Sequence, residues 1–389
     1  MSAAIPDLRP IEAFLDPTHH ALAAQVSAFA SHTLAPRPEP ADDDAARREA
    51  RVLLAELGHG TLDSIRAQDW RACCLAREAL AAASPLADAV FALQALGLVP
   101  MLLSGNQPMI DRWVGDGIAG RAMAAFAMTE PEAGSDVAAM ATTARRDGGD
   151  YVLDGRKLFI SNAGIADVYT VFASTDRSAG GKGISCFVVP ADTPGFQFVR
   201  PQVLSSPHPL GEIAFESCRV PAANRLAEEG KGFGLGLRTL DRLRATVGAA
   251  ACGMGARALQ EALAHARSRR QFGKPLAEFQ LVQDKLARMA TDLTAARLLV
   301  YHAAWTADRG AERVTREAAM AKSYATEAAQ RIVDDAVQIL GGAGVLASHP
   351  VDRLYRSVRA LRIYEGTTEI QRIVIAAQLV QEAETRPSG

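Results

Sequence analysis

The stretch FQLVQDKLARMATDLTAARLLVYHA, residues 279–303, decides the fold of the C-terminal part of this chain. Its apolar residues recur at alternating spacings of three and four, which is typical of one helix face packed into a bundle. Smaller residues repeat this pattern over 314–332, and 240–266 and 368–384 are predicted as two further long helices. Four long helices favour an antiparallel four-helix bundle, which we place at residues 231–389.

The periodicity changes upstream of the predicted bundle. Residues 123–230 contain short runs rich in β-branched and aromatic residues, separated by turn residues. We predict a hairpin over Tyr151–Ile160 with Asp154-Gly155 as its two-residue turn, within a central antiparallel β-barrel or sandwich. Residues 1–122 have a helical composition and are predicted as an N-terminal α-helical domain. The predicted fold class is therefore α+β multidomain.

Composition argues against several classes of function. The formal net charge of −2 gives no electrostatic footprint for nucleic acid or an anionic membrane surface. The five cysteines show no disulfide or metal-ligand spacing, and the histidines form no metal set, so we expect no metal site. We find no signal peptide and interpret no apolar run as long enough to cross a bilayer. We therefore expect a cytoplasmic protein without a membrane partner.

The sequence IYEGTTEIQR, Ile363–Arg372, places Glu365 just before a predicted helix. Thr368 and Gln371 fit a capping box, which predicts that the helix begins there. A carboxylate on the incoming turn can project into a cleft, and Gly366 allows another group to approach closely. The same carboxylate can also do no more than favour the N-terminus of the helix.

Three other segments carry residue types suited to a ligand. Residues 127–136, AMTEPEAGSD, offer hydroxyls and backbone N–H groups for a phosphate or a polar ring edge, or form a plain turn. Residues 268–276, SRRQFGKPL, suit a pyrophosphate and a flat heterocycle, although their arginines could simply complement a helix dipole. Residues 338–344, QILGGAG, end a predicted helix, where glycines are also expected as C-caps. Neither a Rossmann nor a P-loop nucleotide motif is present.

Taken together, these motifs and LFISN at 158–162 occur in the order and approximate spacing of the acyl-CoA dehydrogenases. The chain resembles that family over essentially its whole length beyond residue 85. The resemblance implies α,β-dehydrogenation of a fatty-acyl-CoA thioester, with FAD accepting the hydride at flavin N5 and Glu365 removing the α-proton. Some family members carry the base just before the arginine that matches Arg244. Leu243 stands there in this chain and cannot accept a proton.

The same resemblance implies a set of binding residues. Those of the flavin cradle of one subunit are Met128, Thr129, Gly134, Ser135, Phe159 and Ser161. Those lent by a neighbouring subunit to the adenosine diphosphate of FAD are Arg269, Gln271, Phe272, Gln280, Gln338, Gly341 and Gly342. Further flavin contacts are Thr367 and Glu369, and thioester or CoA contacts are Ser135, Asp241, Arg244 and Gly366. A shared FAD site implies a homo-oligomer, usually a tetramer built as a dimer of dimers, and the implied electron acceptor is an electron-transfer flavoprotein.

The sequence also departs from the family pattern. Phe159 stands where many family members have a tryptophan over the flavin, and it can still stack. The stretch LSSPHPLG, Leu204–Gly211, replaces a glycine- and serine-rich approach to the next strand. This departure leaves the carrier and the acyl group open. The alternatives are an acyl-carrier-protein thioester dehydrogenase, an acyl-CoA oxidase that forms peroxide, and a thioester-binding scaffold without catalysis.

Overall fold

The structure, a computed structural model, describes residues 6–385. The chain folds into two compact units. The first, which we call the helical unit, takes in the chain up to Arg37, Asp69–Asp88 and the chain from Asp241 onward. The second, which we call the sheet unit, takes in Pro38–Gln68 and Ala89–Leu240. The three-part division at residues 122 and 230 stays a prediction.

Helices occupy both ends of the chain, and local signals explain several of their ends. The helices are α1 (Pro17–Phe29), α2 (Asp43–Leu57), α3 (Asp63–Ala67), α4 (Trp70–Ala83), α5 (Pro85–Ser104), α6 (Gln107–Met109), α7 (Gly115–Ile118), α8 (Gly232–Ser268), α9 (Gln280–Asp308), α10 (Thr315–Leu340), α11 (Pro350–Leu361) and α12 (Thr368–Thr385). Asp42 and Asp69 begin α2 and α4, since each carboxylate accepts a backbone N–H of the first turn. Gly341, at φ 60°, ends α10 as predicted.

The long helices of the helical unit confirm one predicted seam fully and the other in part. All of the small-residue positions on α10 are buried, including Ala318, Ala321 and Ala325. On α9 the seam is only partly buried: Met289, Ala296, Val300 and Ala303 are buried, whereas Phe279, Val282, Leu286 and Leu293 are half-buried. The α+β fold class, with helical N- and C-terminal parts and a sheet between them in the sequence, is confirmed.

The sheet unit contains one eight-stranded sheet. Its strands are β1 (Ala124–Ala127), β2 (Thr143–Asp147), β3 (Asp150–Ser161), β4 (Val168–Ser174), β5 (Ile184–Pro190), β6 (Phe196–Pro201), β7 (Leu210–Pro221) and β8 (Arg225–Leu226), and a separate hairpin in the helical unit consists of β9 (Arg270–Gln271) and β10 (Lys274–Pro275). The order in the sheet is β6–β7–β3–β2–β4–β5–β8, with β1 also paired to β4. The pairings of β4 with β1 and with β2 are parallel, so the sheet is mixed rather than wholly antiparallel as predicted.

The predicted hairpin over Tyr151–Ile160 is wrong. This segment lies within one continuous strand, β3, and the hairpin is formed by β2 and β3 around Gly148-Gly149. Asp154-Gly155 marks a register shift against β7 instead of a turn. A Cβ on Gly155 would lie 2.5 Å from the side-chain oxygen of Thr142. The glycine is therefore required by a close approach of two chain segments, which local sequence does not reveal.

We expected no segment that is both apolar and long enough to cross a membrane, and by length and composition this expectation is wrong. Helix α5 meets both criteria, and 78% of its most apolar window is buried in the protein. Core helices of globular proteins pass the same test when they are enclosed on most sides. Gln94 shows how α5 is held, because its amide bonds to backbone groups of Gly117, Ala122 and Ala124.

Candidate active site

Glu365 lies on the turn between α11 and α12, and its backbone is left-handed at φ 55°. Thr367 caps α12, since its Oγ1 accepts the N–H of Ile370 at 3.3 Å. The predicted capping box at Thr368 is therefore wrong by one residue. The Thr368 hydroxyl instead donates to Glu327 Oε1 of α10 at 2.8 Å, so a long-range contact has replaced the local cap.

Three side chains hold the two carbonyl groups of the catalytic turn, which we define as Glu365-Gly366. Arg244 Nε donates to Glu365 O at 3.2 Å, and Lys322 Nζ donates to Gly366 O at 2.5 Å. Gln371 Nε2 reaches both oxygens, at 3.4 and 3.1 Å. Lys322 is 0% exposed. Because an unpaired buried ammonium is costly, its bond to this turn fixes the turn strongly.

The Glu365 carboxylate combines shielding with a free lone pair. Its Oε2 atom is shielded from solvent and has no hydrogen-bond partner among residues 6–385. Burial raises the pKa of Glu365 above its ordinary value, while the nearby charges of Arg77, Lys322 and Arg244 oppose the rise. The Glu365 carboxylate can therefore take up a proton at Oε2 without first breaking a hydrogen bond.

A buried ion pair lies beneath this turn and was missed by the sequence analysis. Arg77 Nε and Nη2 donate to the two carboxylate oxygens of Asp88 at 2.7 and 2.9 Å, and Nη1 donates to the Thr246 hydroxyl at 3.0 Å. Arg77 also hydrogen-bonds the side chain of Tyr364, the residue before the base. Burial of that phenol raises its pKa. Arg77 stands next to Glu78 in an Ala-rich helix, and no local sequence pattern indicates that it pairs with Asp88.

The predicted flavin cradle of the sheet unit is brought together around the end of β3. The N–H of Leu158 donates to Thr129 O at 2.9 Å, which places the 127–136 segment beside Phe159. Phe159 is left-handed at φ 56° and its ring is 58% exposed. Gly134 and Ser135 are exposed, and a Cβ on Gly134 would meet nothing within 4 Å. An exposed aromatic face beside open backbone fits a flat heterocycle.

A second buried pair fixes the 127–136 segment and was also missed. Lys157 Nζ, fully buried on β3, donates to Glu130 Oε1 at 2.7 Å and to Met128 O at 3.1 Å. The Glu130 carboxylate in turn accepts the N–H groups of Ala141 and Thr142. One lysine therefore connects β3 to two residues near the start of the 127–136 segment.

The remaining predicted residues lie at helix ends of the helical unit. Arg269, Gln271, Gln280, Gln338, Gly341 and Gly342 are all exposed. Phe272 is 93% exposed at the turn of the β9–β10 hairpin, where it and Gly273 have φ values of 49° and 79°. Asp241 Oδ1 accepts from Arg244 Nη1 at 2.7 Å, so these two predicted contacts lie together. Exposed arginine and glycine backbone suit a pyrophosphate.

Comparisons with known proteins agree with this geometry. The family models for the acyl-CoA dehydrogenase middle domain and C-terminal domain match residues 125–218 and 230–380. The chain is 45% identical to the 3-(aryl)acrylate reductase of Clostridium sporogenes over 72% of this chain and 75% of that protein. It is 41% identical to the caffeyl-CoA reductase-Etf complex subunit CarC of Acetobacterium woodii over 73% of this chain and 75% of that protein.

Solved structures show the same likeness. Butyryl-CoA dehydrogenase from Megasphaera elsdenii has a TM-score of 0.86 at 33% identity, covering 94% of this chain and 99% of that chain. The structure of PigA with FAD and proline has a TM-score of 0.83 at 29% identity, covering 95% and 99%. The fold and the site thus define a flavin-dependent oxidoreductase whose cofactor is FAD. The chain belongs to the acyl-CoA dehydrogenase family.

Proposed function

We propose that this protein catalyses the α,β-dehydrogenation of an acyl-CoA thioester to the 2-enoyl-CoA, with Glu365 as the base. FAD, when bound, supplies the hydride acceptor for the β-carbon. The observation that carries the proposal is the shielded Glu365 Oε2 atom without a hydrogen-bond partner among residues 6–385. A thioester α-proton is weakly acidic, so its removal requires a base of raised pKa in a site that excludes water.

The surrounding residues keep that base in place. Lys322, Arg244 and Gln371 hold the carbonyl oxygens of the catalytic turn. These bonds fix the backbone and do not involve the Glu365 carboxylate. The three cations near Glu365 lower the cost of its ionised form, and burial raises that cost. The net effect is a raised pKa, which favours uptake of the α-proton by the carboxylate.

Replacement of Glu365 by Gln tests the proposal. We expect Glu365→Gln to keep FAD and acyl-CoA binding, while anaerobic flavin bleaching by acyl-CoA slows by about a hundredfold to ten-thousandfold. Glu312→Gln, at an exposed position of the same unit, serves as the control and should bleach at the unchanged rate. Bleaching at the unchanged rate in Glu365→Gln would refute the assignment of the base.

The reverse direction is a second candidate, since two relatives are named as reductases of unsaturated acyl compounds. The same residues serve it, because a protonated Glu365 can return its proton to the α-carbon of a 2-enoyl-CoA, and FAD bound in its reduced form would supply the hydride for the β-carbon. Rates of both directions, over straight, branched, dicarboxylic and aromatic acyl-CoAs, would show which direction and acyl group the protein prefers. Fast peroxide formation in air would instead indicate the acyl-CoA oxidase.

An electron-transfer flavoprotein is the proposed electron partner, supported by the relative that belongs to a reductase–Etf complex. We also propose a homotetramer in the cytoplasm that shares each FAD site between neighbouring copies. The exposure of Phe272 and Arg269 supports this arrangement. Light scattering of the FAD-loaded protein tests the oligomer, and Phe272→Ser should weaken both FAD binding and association if the copies share the site.

A further inference from the structure

The unusual segment Leu204–Gly211 lies against the end of β3. His208 stands in it between Pro207 and Pro209, whose rings restrict the backbone on both sides. The N–H of Gln202 donates to Leu210 O at 2.9 Å and so closes the segment onto itself. The backbone that carries the imidazole is therefore restricted by its own chain.

Three hydrogen bonds connect the loop between β6 and β7 to residues 159–162 at the end of β3. His208 Nε2 lies 2.8 Å from Ser161 Oγ, and the N–H of Phe159 donates to Gln202 Oε1 at 2.9 Å. The N–H of Asn162 donates to Pro209 O at 3.0 Å. Phe159 and Asn162 both have left-handed backbones, at φ 56° and 62°. Two such residues in four positions persist only where neighbouring groups determine the conformation.

The surroundings of His208 keep its ring neutral. Burial lowers its pKa to about 4, and the positive charge of Arg47 contributes to that shift. Arg47 is itself held by Asp43 and by the carbonyl groups of Ala163 and Leu210. A neutral imidazole has one donor and one acceptor nitrogen. A serine hydroxyl has a single proton. If Nε2 of His208 lacks the ring proton, the serine proton points toward the histidine, and if Nε2 carries it, the serine proton points away.

We propose that His208 is a positioning residue that sets the direction of the Ser161 hydroxyl, and through it the affinity and reduction potential of the bound FAD. The inference deepens the proposed function, because it takes Ser161 as a flavin contact. It requires no substrate and no proton transfer by His208. A hydroxyl whose direction is fixed favours one redox state of a nearby ring over the other, since the two states differ in their donors and acceptors.

The test uses the full-length protein without substrate. We expect His208→Leu to weaken FAD binding by about threefold to tenfold and to shift the flavin midpoint potential in the same direction as Ser161→Ala. The double variant should show the same potential as Ser161→Ala alone, because His208 has no hydroxyl left to orient once Ser161 is replaced. His208→Gln places an amide near the position of Nε2 and should restore values close to those of the unmodified protein. Fluorescence titration and dye equilibration measure the two quantities.

His59→Leu, an exposed histidine of the same unit, is the matched control and should change neither quantity. Additive shifts in the double variant, or an unchanged potential in His208→Leu, would overturn the proposal. A histidine with only a structural role would lower the melting temperature without moving the potential of the protein that remains folded. These measurements need no acyl-CoA, so failure of the proposed reaction and failure of this inference are separate results.

Discussion

Two turns of this protein use the same costly backbone conformation but are held in opposite ways. Glu365 and Phe159, neither of them glycine, are left-handed at φ 55° and 56°. Each such residue costs about 1–2 kcal/mol, so neighbours must stabilise it. The turn at Glu365 is held largely by charged groups, Lys322 and Arg244. Residues 159–162 are themselves held by neutral groups, a glutamine, a histidine and a carbonyl, and the charged Arg47 contacts only the flanking carbonyls of Ala163 and Leu210.

The difference follows from what each turn has to do. A turn that presents a base must tolerate a change of charge, and nearby cations stabilise the ionised form. A segment that presents an aromatic face needs only a fixed shape, and neutral hydrogen bonds give one that does not vary with pH near neutrality.

Replacement of Lys322 should break the charged turn. Lys322→Met removes the charged donor of Gly366 O and leaves Gln371 as its remaining side-chain donor, and we expect kcat to fall by about tenfold to a hundredfold. Loss of a cation that lowers the pKa of Glu365 should also move the acid limb of the rate profile to higher pH. Stopped-flow flavin bleaching across pH measures both effects.

Lys285→Met is the control for this change, because Lys285 on α9 pairs with Asp335 on α10 and not with the catalytic turn. It should leave the rate profile unchanged. An acid limb that does not move in Lys322→Met would show that the lysine acts only on backbone geometry.

The pH dependence should differ between the two turns in the unmodified protein. Glu365 must be ionised to accept the α-proton and its pKa is raised, so kcat/KM should fall about tenfold per pH unit below a limb that lies above the ordinary carboxyl value. His208, with a pKa of about 4, stays neutral over that range. The FAD affinity lost in His208→Leu should therefore be the same at about pH 6 and pH 8. A loss that changes with pH would contradict the neutral assignment.

The smallest effect is expected for the neutral segment. Gln202→Leu removes the acceptor of the Phe159 N–H and should weaken FAD binding by about twofold to fivefold. The acid limb of the rate should stay in place, because no charge is lost. Gln197→Leu, on the exposed side of β6, is the control. Movement of the acid limb in Gln202→Leu would show that the two turns are electrostatically coupled.

The sequence predicted the fold where local pattern and long-range packing agree. The small-residue seam of α10 and the C-cap at Gly341 were both confirmed. It failed at Asp154-Gly155, where a close approach to Thr142 explains the glycine better than any turn. Helix α11 was not predicted at all.

The candidate site shows the same division. Glu365 was found because a motif surrounds it, and its chemical role still stands as a prediction. Lys322, Arg77 and Lys157 were missed because each is a charged residue in a helix or strand whose partner lies far along the chain. Only the folded contacts distinguish such residues from ordinary surface charges.

Helix α10 touches the catalytic segment at two places. Lys322 holds the carbonyl of Gly366, and Glu327 accepts from both Arg362 Nε and the Thr368 hydroxyl. One helix thus holds the chain on both sides of Glu365, at Arg362 before it and at Gly366 and Thr368 after it. Residues 362–368 are consequently part of the rigid scaffold and not a hinged loop. On heating, turnover should be lost at the temperature at which α10 unfolds and not below it.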